Sequence, residues 1–453
     1  MSLRSTGLTM TCTLLLLAGG CSKDNNPQTL STASNSSPAG ATRLAATGQT
    51  TCYNDAGNEI SCSSTGQDGE KRAGAKVSGP RFTDHGDGTV TDNLTGLMWM
   101  KAANCIKTIH PTADAIGTFG DGYVSWEVGL NFAKDVNAGT YACNITTPYT
   151  DWRLPNRREL QSLADYRFYN PAITNAAGTA QSGEADPFTG YEGGFYLSST
   201  SVATTPSFYW YGNLAEGSTS YATANKATFH GFVWLTRTAS TTAPARPAPT
   251  GQTGCYATDG SPIDCAGTGQ DGELQAGVAM PSPRFTDNHD GTVTDHLTGL
   301  VWLRAGNCIA DRLPHLDTDN TAGDGKVTWQ HALDFIAGLN YGAHACGQTV
   351  NYTDWRLPNV REMESLLNAN YIDPVLSNAL GDGHFSEGDP FQGIEHDWYW
   401  TSTSRSLYGT GPMIHAWVVD LKYGNPDPGT LAHSSKANIT GNVNFVWPVR
   451  GGN

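Results

Sequence analysis

The feature that most constrains this chain is an internal repeat, in which most motifs recur 203 positions later. Residues 151–156 (DWRLPN) recur at residues 354–359, and residues 81–84 (RFTD) recur at residues 284–287. The offset drifts only near the end of each copy. A long repeat with one period indicates two copies of the same structural unit, so one fold has to account for both halves.

The length of the chain fits two copies. Its 453 residues are too many for one ordinary domain and suit two domains of about 200 residues each. We place the first domain at residues 48–237 and the second at residues 251–450. Residues 238–250 (TASTTAPARPAPT) join them, and this Pro/Ala/Thr composition is typical of a semi-extended linker.

The first residues have the pattern of an export signal. Arg4 precedes a largely apolar run at residues 8–17, and small residues lead to Cys21, so residues 1–20 are predicted to be a signal peptide. The end of this segment resembles a bacterial lipobox, which implies that Cys21 is lipidated; a plain secretory signal cleaved nearby is the alternative. Residues 21–47 lack large apolar side chains and periodicity, which predicts a flexible tether.

This pattern predicts where the protein is located. A lipidated Cys21 would make the membrane a partner through the lipid anchor. Ser22 after the cysteine favours the outer membrane or the cell surface. The formal net charge of −15 disfavours nucleic acid as a partner, because the phosphate backbone attracts basic surfaces.

Eight cysteines follow the repeat. Each domain carries four, and four cysteines in an exported domain predict two disulfides, with three possible pairings. We favour first with second and third with fourth, because the first two flank a polar Gly-containing turn. Zinc binding is the alternative, although no CxxC spacing is present. The cysteines are Cys52, Cys62, Cys105, Cys143, Cys255, Cys265, Cys308 and Cys346.

Local patterns predict an α+β fold. Residues 82–92 read as strand, tight Asp-Gly turn and strand, and residues 97–99 as a third strand. Ser125 caps a helix that carries apolar residues at helical spacing, and Asn156 with Glu159 suits a capping box at a second helix. Aromatic β runs follow in each copy. They lie at residues 195–198, 208–211 and 232–235, and at residues 398–401, 415–419 and 445–447. We therefore expect two helices packed beside antiparallel sheet in each copy.

Several of these motifs resemble one known family. Residues 86–99 (GDGTVTDNLTGLMW), the DWRLPN box with Glu159, and the terminal VWPVRGG at residues 446–452 are similar to the Lcl C-terminal domain family. Both copies match over nearly their full length. The resemblance implies tandem C-type-lectin-like domains that act as a surface binding module of adhesion type. The box also resembles a segment of sulfatase-modifying domains, which implies an oxidase-type enzyme as the alternative.

Two sets of side chains are candidates for binding. Glu184 and Asp186, with Glu387 and Asp389 in the second copy, could hold Ca²⁺, the one cofactor the sequence raises, or could anchor a solvated loop. Arg153 could grip an anion, or could be a buried arginine that ties helix to sheet and is paired with the adjacent Asp151.

Aromatic side chains that differ between the copies are candidates for stacking against a sugar. Core packing is the alternative reading for each of them. They are Tyr209, Trp210 and Tyr211 in the first copy and Trp398, Trp400 and Trp417 in the second. Tryptophans that recur in both copies, Trp99, Trp126, Trp302 and Trp329, are expected in the core.

Catalysis finds little support in the sequence. No GxSxG, HExxH, Walker or GxGxxG motif stands in a suitable context, and thiol chemistry would need cysteines that the predicted disulfides consume. We therefore expect a non-enzymatic cell-surface lipoprotein that recognises extracellular polysaccharide or another surface ligand. An enzyme on the sulfatase-modifying scaffold and a structural envelope component are the alternatives.

Overall fold

The computed structural model of the chain describes residues 41, 43–114, 119–220, 224–317, 321, 323–406, 413–422, 426–427, 435–436 and 443–452. The predicted signal peptide, Cys21 and most of the predicted tether lie outside these residues. Within them, no helix is both long enough and apolar enough to span a bilayer.

The first copy consists of short strands with helices between them. Its strands are β1 (Cys52–Tyr53), β2 (Glu59–Ile60), β3 (Phe82–Asp84), β4 (Thr89–Asp92), β5 (Leu97–Met100), β6 (Phe195–Ser201), β7 (Tyr209–Asn213), β8 (Ser218–Ser220) and β9 (Thr236–Thr238). Its helices are α1 (Asp68–Lys71), α2 (Cys105–Thr108), α3 (Trp126–Asn137) and α4 (Arg157–Ser162), with a 3₁₀ turn at Pro111–Ala113.

The second copy repeats the same order of elements. Its strands are β10 (Cys255–Tyr256), β11 (Pro262–Ile263), β12 (Phe285–Asp287), β13 (Thr292–Asp295), β14 (Leu300–Leu303), β15 (Trp398–Ser404), β16 (Ala416–Asp420), β17 (Pro426–Asp427) and β18 (Val449–Gly451). Its helices are α5 (Asp271–Leu274), α6 (Cys308–Arg312), α7 (Trp329–Asn340) and α8 (Val360–Ser365), with a 3₁₀ turn at Pro314–Leu316.

Three antiparallel sheets form in each copy. In the first copy they are the pair β1-β2, the four-stranded sheet β3-β4-β5-β9 and the three-stranded sheet β6-β7-β8. The four-stranded sheet joins the start of the copy to its end, because β9 pairs with β5. The same arrangement recurs with β12-β13-β14-β18 and β15-β16-β17. The predicted α+β class with antiparallel sheets is confirmed.

The predicted helix starts are confirmed. The Ser125 side chain accepts a hydrogen bond from the backbone N–H of Val128 and caps α3. Asn156 and Glu159 form the predicted capping box of α4, in which each side chain accepts from the other residue's backbone N–H. Such caps satisfy donors that the first turn of a helix leaves unpaired, which is why the sequence signal was reliable here.

The last aromatic run of each copy differs from its prediction. Residues 232–235 and 445–447 are not strands; each makes only isolated backbone bridges, and the pairing strand β9 begins at Thr236. Trp234 and Trp447 are fully buried there. These segments pass through the core, so their side chains are apolar because they are buried. The apolar composition was therefore not evidence of a strand.

The predicted disulfides are confirmed. Cys52 is bonded to Cys62 and Cys105 to Cys143, and the second copy has the equivalent pairs Cys255–Cys265 and Cys308–Cys346. Cys105 and Cys143 lie close to His110, but both thiols are consumed by their bond. The zinc alternative is therefore wrong for these cysteines.

Parts of the predicted flexible tether and of the predicted semi-extended linker are packed against the first copy. Ala45 lies at the end of the predicted tether, yet it bridges Ala75 and is buried. Ala245 lies in the predicted linker, and its N–H donates to the carbonyl of Leu94 at 2.9 Å. Ala45, Ala75, Leu94 and Ala245 form one small apolar cluster, which removes these residues from solvent.

Each copy is completed by a segment from the other. We call residues 45–75 the first hairpin segment and residues 248–278 the second hairpin segment. The Gln49 Oε1 atom accepts the N–H of Ser404 at 2.9 Å, and its amide donates to the Ser404 carbonyl. Gln252 makes the same pair of bonds with Ser201, at 2.9 and 2.7 Å. The hairpin segment of each copy therefore packs against β6 or β15 of the other copy.

Buried carboxylates reinforce this reciprocal packing. The Asp68 Oδ2 atom accepts hydrogen bonds from the hydroxyls of Thr47 and Thr403, each at 2.7 Å. The second hairpin segment repeats the arrangement at 2.6 Å with Asp271, Thr250 and Thr200. Burial raises the pKa of both carboxyls to about 6, although the threonine hydrogen bonds act in the opposite direction.

A buried lysine in each copy makes a third contact of the same kind. The Lys226 ammonium lies 3.9 Å from the ring centroid of Trp126 in its own copy and 5.7 Å from that of Tyr256 in the second hairpin segment. Lys436 has the equivalent neighbours, Trp329 and Tyr53. Burial lowers the pKa of both lysines to about 7. These cation–π contacts connect the two copies at both hairpin segments.

Candidate functional site

The reciprocal packing creates two related grooves on the surface. Groove one lies between the first hairpin segment and helix α7, and its volume is about 400 Å³. Groove two lies between the second hairpin segment and helix α3, and its volume is about 360 Å³. Both volumes fall in the range of about 300–1,000 Å³ that is usual for ligand sites. Each groove needs residues from both copies.

Equivalent residues form the floor of both grooves. Leu333, Asn340 and Trp355 line groove one, and their counterparts Leu130, Asn137 and Trp152 line groove two. The tryptophans belong to the repeated DWRLPN box. The leucines and tryptophans are buried, so each contributes only a small part of its surface to the groove. The shape of each groove therefore follows from the repeat itself.

A glutamate fixes the loop at the edge of each groove. Glu70 accepts the N–H groups of Ser64 and Gly66 at 2.8 and 2.7 Å. Glu273 accepts those of Gly267 and Gly269, both at 2.6 Å. Partial burial acts to raise the pKa of Glu273, but the backbone hydrogen bonds outweigh it and the pKa is lowered. These carboxylates hold the rim in one conformation.

The rims differ in charge and in aromatic content. Groove one carries Asp334 and Ala337 on helix α7, and groove two carries Lys134 at the position equivalent to Ala337. Tyr341 lies at the end of groove one and is 87% exposed, whereas the equivalent residue in the first copy is Ala138. Groove one is therefore the more acidic and the more aromatic of the two.

An unsatisfied donor lies at groove one. Trp355 lines this groove, and its indole N–H is buried without a hydrogen-bond partner among the described residues. Buried polar groups are nearly always paired in proteins. This N–H is shielded from solvent, so it is not within reach of a ligand in groove one unless the side chain moves.

The aromatic residues predicted to stack on sugars are in the core instead. Tyr209, Trp210 and Tyr211 are at most 7% exposed although they are consecutive, so both faces of β7 are covered, in part by α4. Trp210, for example, stacks under the Arg157 guanidinium at 3.8 Å. Trp400 and Trp417 are buried as well, and Trp398 is partly buried against the same core. The prediction of an exposed platform is wrong at the five buried residues, where core packing accounts for the side chains, whereas the candidacy of the partly buried Trp398 stays a prediction.

The carboxylates predicted as calcium ligands act as loop anchors. Glu184 Oε1 accepts the N–H of Gly190 at 2.8 Å, and Asp186 Oδ1 accepts that of Ala176 at 2.9 Å. Glu387 and Asp389 bond in the same way to Gly393 and Ala379. The structure thus agrees with the loop-anchor reading that the sequence left open.

Arg153 ties helix to sheet as expected, but its partner differs from the prediction. Its guanidinium makes two bonds to the Glu159 carboxylate at 2.5 and 2.6 Å. Asp151, the predicted partner, pairs with Arg237 at 2.6 Å. The side chain of Asp151 is 55% exposed, so it lies at the surface and pairs there instead of with the buried guanidinium.

Comparison with known proteins identifies one family. The model of the Lcl C-terminal domain matches residues 88–237 and residues 291–450. These two regions contain the three-stranded sheets and the four-stranded sheets except for their first strands, β3 and β12, whereas the hairpin segments precede them. No curated protein and no solved structure matches the chain.

Proposed function

The chain belongs to the Lcl C-terminal domain family, and on that premise we propose that it is an exported surface lipoprotein that binds extracellular polysaccharide. In this proposal Cys21 carries the lipid anchor and the protein is located at the outer membrane or the cell surface. A C-type-lectin-like fold for each copy is part of the same proposal. It is supported by the family resemblance together with the mixed α+β architecture and two disulfides per copy.

The observation that carries the proposal is the pair of related grooves. A polysaccharide is built from repeating sugar units. A protein with two related grooves can therefore bind two segments of the same polysaccharide, which increases avidity. The grooves are open to solvent and need no metal ion to be formed. Their rims are fixed by Glu70 and Glu273, so the sites are preorganised, which reduces the entropy lost on binding.

The chemistry of groove one suits a sugar. Apolar carbon atoms of Ile60, Leu333 and Ile336 and the exposed ring of Tyr341 can cover the CH faces of a pyranose. The side-chain amides of Gln330 and Asn340 can bond its hydroxyl groups. A few polar groups among apolar ones is the usual composition of a ligand site.

The enzymatic alternative lacks its nucleophile. Thiol-dependent oxidase chemistry requires a free thiolate, and all eight cysteines of the two copies are joined in disulfides. The binding role is therefore the better supported one.

A glycan array with residues 22–453 tests the proposal. We expect selective binding to one or a few polysaccharides, and titration calorimetry with the best of these then measures the effect of groove variants. Ala337→Lys places a long side chain over groove one at a position where the first copy carries Lys134, so helix α7 should tolerate it. Tyr341→Ala removes the exposed ring.

Each variant should weaken binding about tenfold or more, which corresponds to about 1.4 kcal/mol. Phe119→Ala is the matched control, because Phe119 is also an exposed aromatic (67%) and lies outside both grooves; it should leave affinity unchanged. Unchanged affinity in both groove variants would show that the polysaccharide binds elsewhere. An array without any selective binding would contradict the proposal and favour a structural role in the envelope.

A further inference from the structure

A separate cavity lies where the two copies meet at helices α4 and α8. Its volume is about 60 Å³, several times the roughly 10–15 Å³ that one water molecule needs. Apart from Ala245, its lining consists of residue pairs related by the repeat, and no residue of either groove contributes to it. The polar pairs are Arg43 with Arg246, Arg158 with Arg361, Gln161 with Glu364, and Ser162 with Ser365. We call this site the arginine cavity.

The lining carries an excess of positive charge. It contains four arginines, while Glu364 is the one carboxylate among its residues. The imbalance arises from a difference between the copies, because the position equivalent to Glu364 in the first copy is the neutral Gln161. The charge of Glu364 is moreover shared with Arg157, whose guanidinium lies 3.7 Å away, and its other oxygen accepts from Gln161.

The two inner arginines bond to neutral groups. Arg158 donates to backbone carbonyls, including that of Leu367, and Arg361 donates to the carbonyl of Ala164 at 2.6 Å. The Arg361 Nε–H is buried and has no hydrogen-bond partner among the described residues. Burial, together with the charges of Arg284 and Arg157, lowers the pKa of Arg158 to about 9. Carbonyl oxygens satisfy some of the donors but cancel none of this charge.

We propose that the arginine cavity binds one small oxyanion of the phosphate or carboxylate class, which links the two copies. A buried cation is costly unless it is paired, and the guanidinium fork matches the oxygen pairs of such anions. Arg43 is exposed and Arg246 is half-buried, so these two residues provide a positive mouth through which an anion can enter from solvent. The site is independent of polysaccharide binding.

Thermal unfolding of residues 22–453 in inorganic phosphate, sulfate or acetate, each at constant ionic strength with sodium chloride, tests the proposal. We expect Tm to rise and saturate with the concentration of at least one oxyanion, beyond the effect of chloride. A rise in Tm with phosphate or sulfate but not with acetate would indicate a tetrahedral anion, and a rise with acetate alone would indicate a carboxylate. A Tm in all three oxyanions that equals the Tm in sodium chloride at the same ionic strength would overturn the proposal.

Three variants locate the effect without removing the buried arginines. The double variant Arg43→Gln and Arg246→Gln should keep the anion-free Tm and weaken oxyanion affinity about tenfold or more. Lys76→Gln with Arg312→Gln removes two exposed charges that lie outside the arginine cavity and both grooves, and should leave affinity unchanged. Gln161→Glu restores the second carboxylate and should raise the anion-free Tm while reducing the oxyanion response. Equal responses in the wild type and the mouth variant would refute the assignment.

Discussion

Replacing Asp271 by Asn removes a carboxylate that the packing of the second hairpin segment buries completely. The Asn side-chain oxygen can still accept from Thr200 and Thr250, which both bond to Oδ2. The new amide takes the place of Oδ1, which has no partner among the described groups. The variant therefore changes the charge and leaves the satisfied hydrogen bonds in place.

The size of the effect follows from the raised pKa. The pKa of Asp271 is about 6 in the folded chain against an ordinary value of 3.8 for an exposed aspartate. Because the folded pKa is raised, the stability that it contributes is fully present below about pH 4 and is lost as pH rises through 6. At 1.36 kcal/mol per pKa unit, the ionised carboxylate costs about 3 kcal/mol at pH 7.5 and about 0.5 kcal/mol at pH 4.

Urea unfolding of wild type and variant at pH 4 and pH 7.5 measures this cost. We expect Asp271→Asn to be more stable than wild type by about 2–3 kcal/mol at pH 7.5 and nearly equal to it at pH 4. Lys226 and the other titrating side chains are present in both proteins, so the pH dependence of the difference between them reports on Asp271. Asp68→Asn should repeat the result in the first hairpin segment. A difference that does not change with pH would refute the reasoning.

Two further predictions concern the core and the disulfides. Trp417→Ala should destabilise the chain by about 3–5 kcal/mol, because it empties a fully buried site. Trp398→Ala, at a partly buried position, should reduce stability by less in the same urea assay. Loss of polysaccharide binding by Trp417→Ala at unchanged stability would contradict the core assignment. Replacing both Cys105 and Cys143 by Ala should lower the free energy of unfolding by about 4 kcal/mol, as expected for a bridge that spans 38 residues. A decrease below about 1 kcal/mol would show that the bridge does not restrict the unfolded chain.

Features with a local sequence signal could be predicted. The caps at Ser125 and Asn156 depend on residues within one helical turn, and the cysteine pairs follow the spacing of the repeat. The tryptophans that recur in both copies are in the core for the same reason: a shared fold has to fill the same space twice. These predictions needed no knowledge of how the copies meet.

The aromatic candidates failed because the pattern did not show how many faces of a strand are covered. The sequence Tyr209-Trp210-Tyr211 is buried on both sides of β7. Ligand candidates were chosen among aromatic side chains that differ between the copies. The same criterion also selects Tyr341, which is exposed and stands where the first copy has Ala138 at the end of a helix. A signal was present there, since Gly342 follows directly and marks the exposed helix terminus.

The exchange of hairpin segments could not be predicted at all. Because the copies have similar sequences, a hairpin segment has the same contact residues available in its own copy and in the other. The bond from Gln49 to Ser404 joins residues that are 355 positions apart, and no local pattern distinguishes it from a bond to Ser201. The grooves and the arginine cavity depend on this exchange, so they also remained hidden.

Amide hydrogen exchange tests the reciprocal packing most directly. Gln49→Ala removes the acceptor of the Ser404 N–H, and Gln252→Ala removes that of the Ser201 N–H. With reciprocal packing, Gln49→Ala increases exchange at Ser404 in the second copy and leaves Ser201 protected, and Gln252→Ala does the reverse. Increased exchange at Ser201 in Gln49→Ala, with Ser404 unchanged, would show that each hairpin segment packs on its own copy.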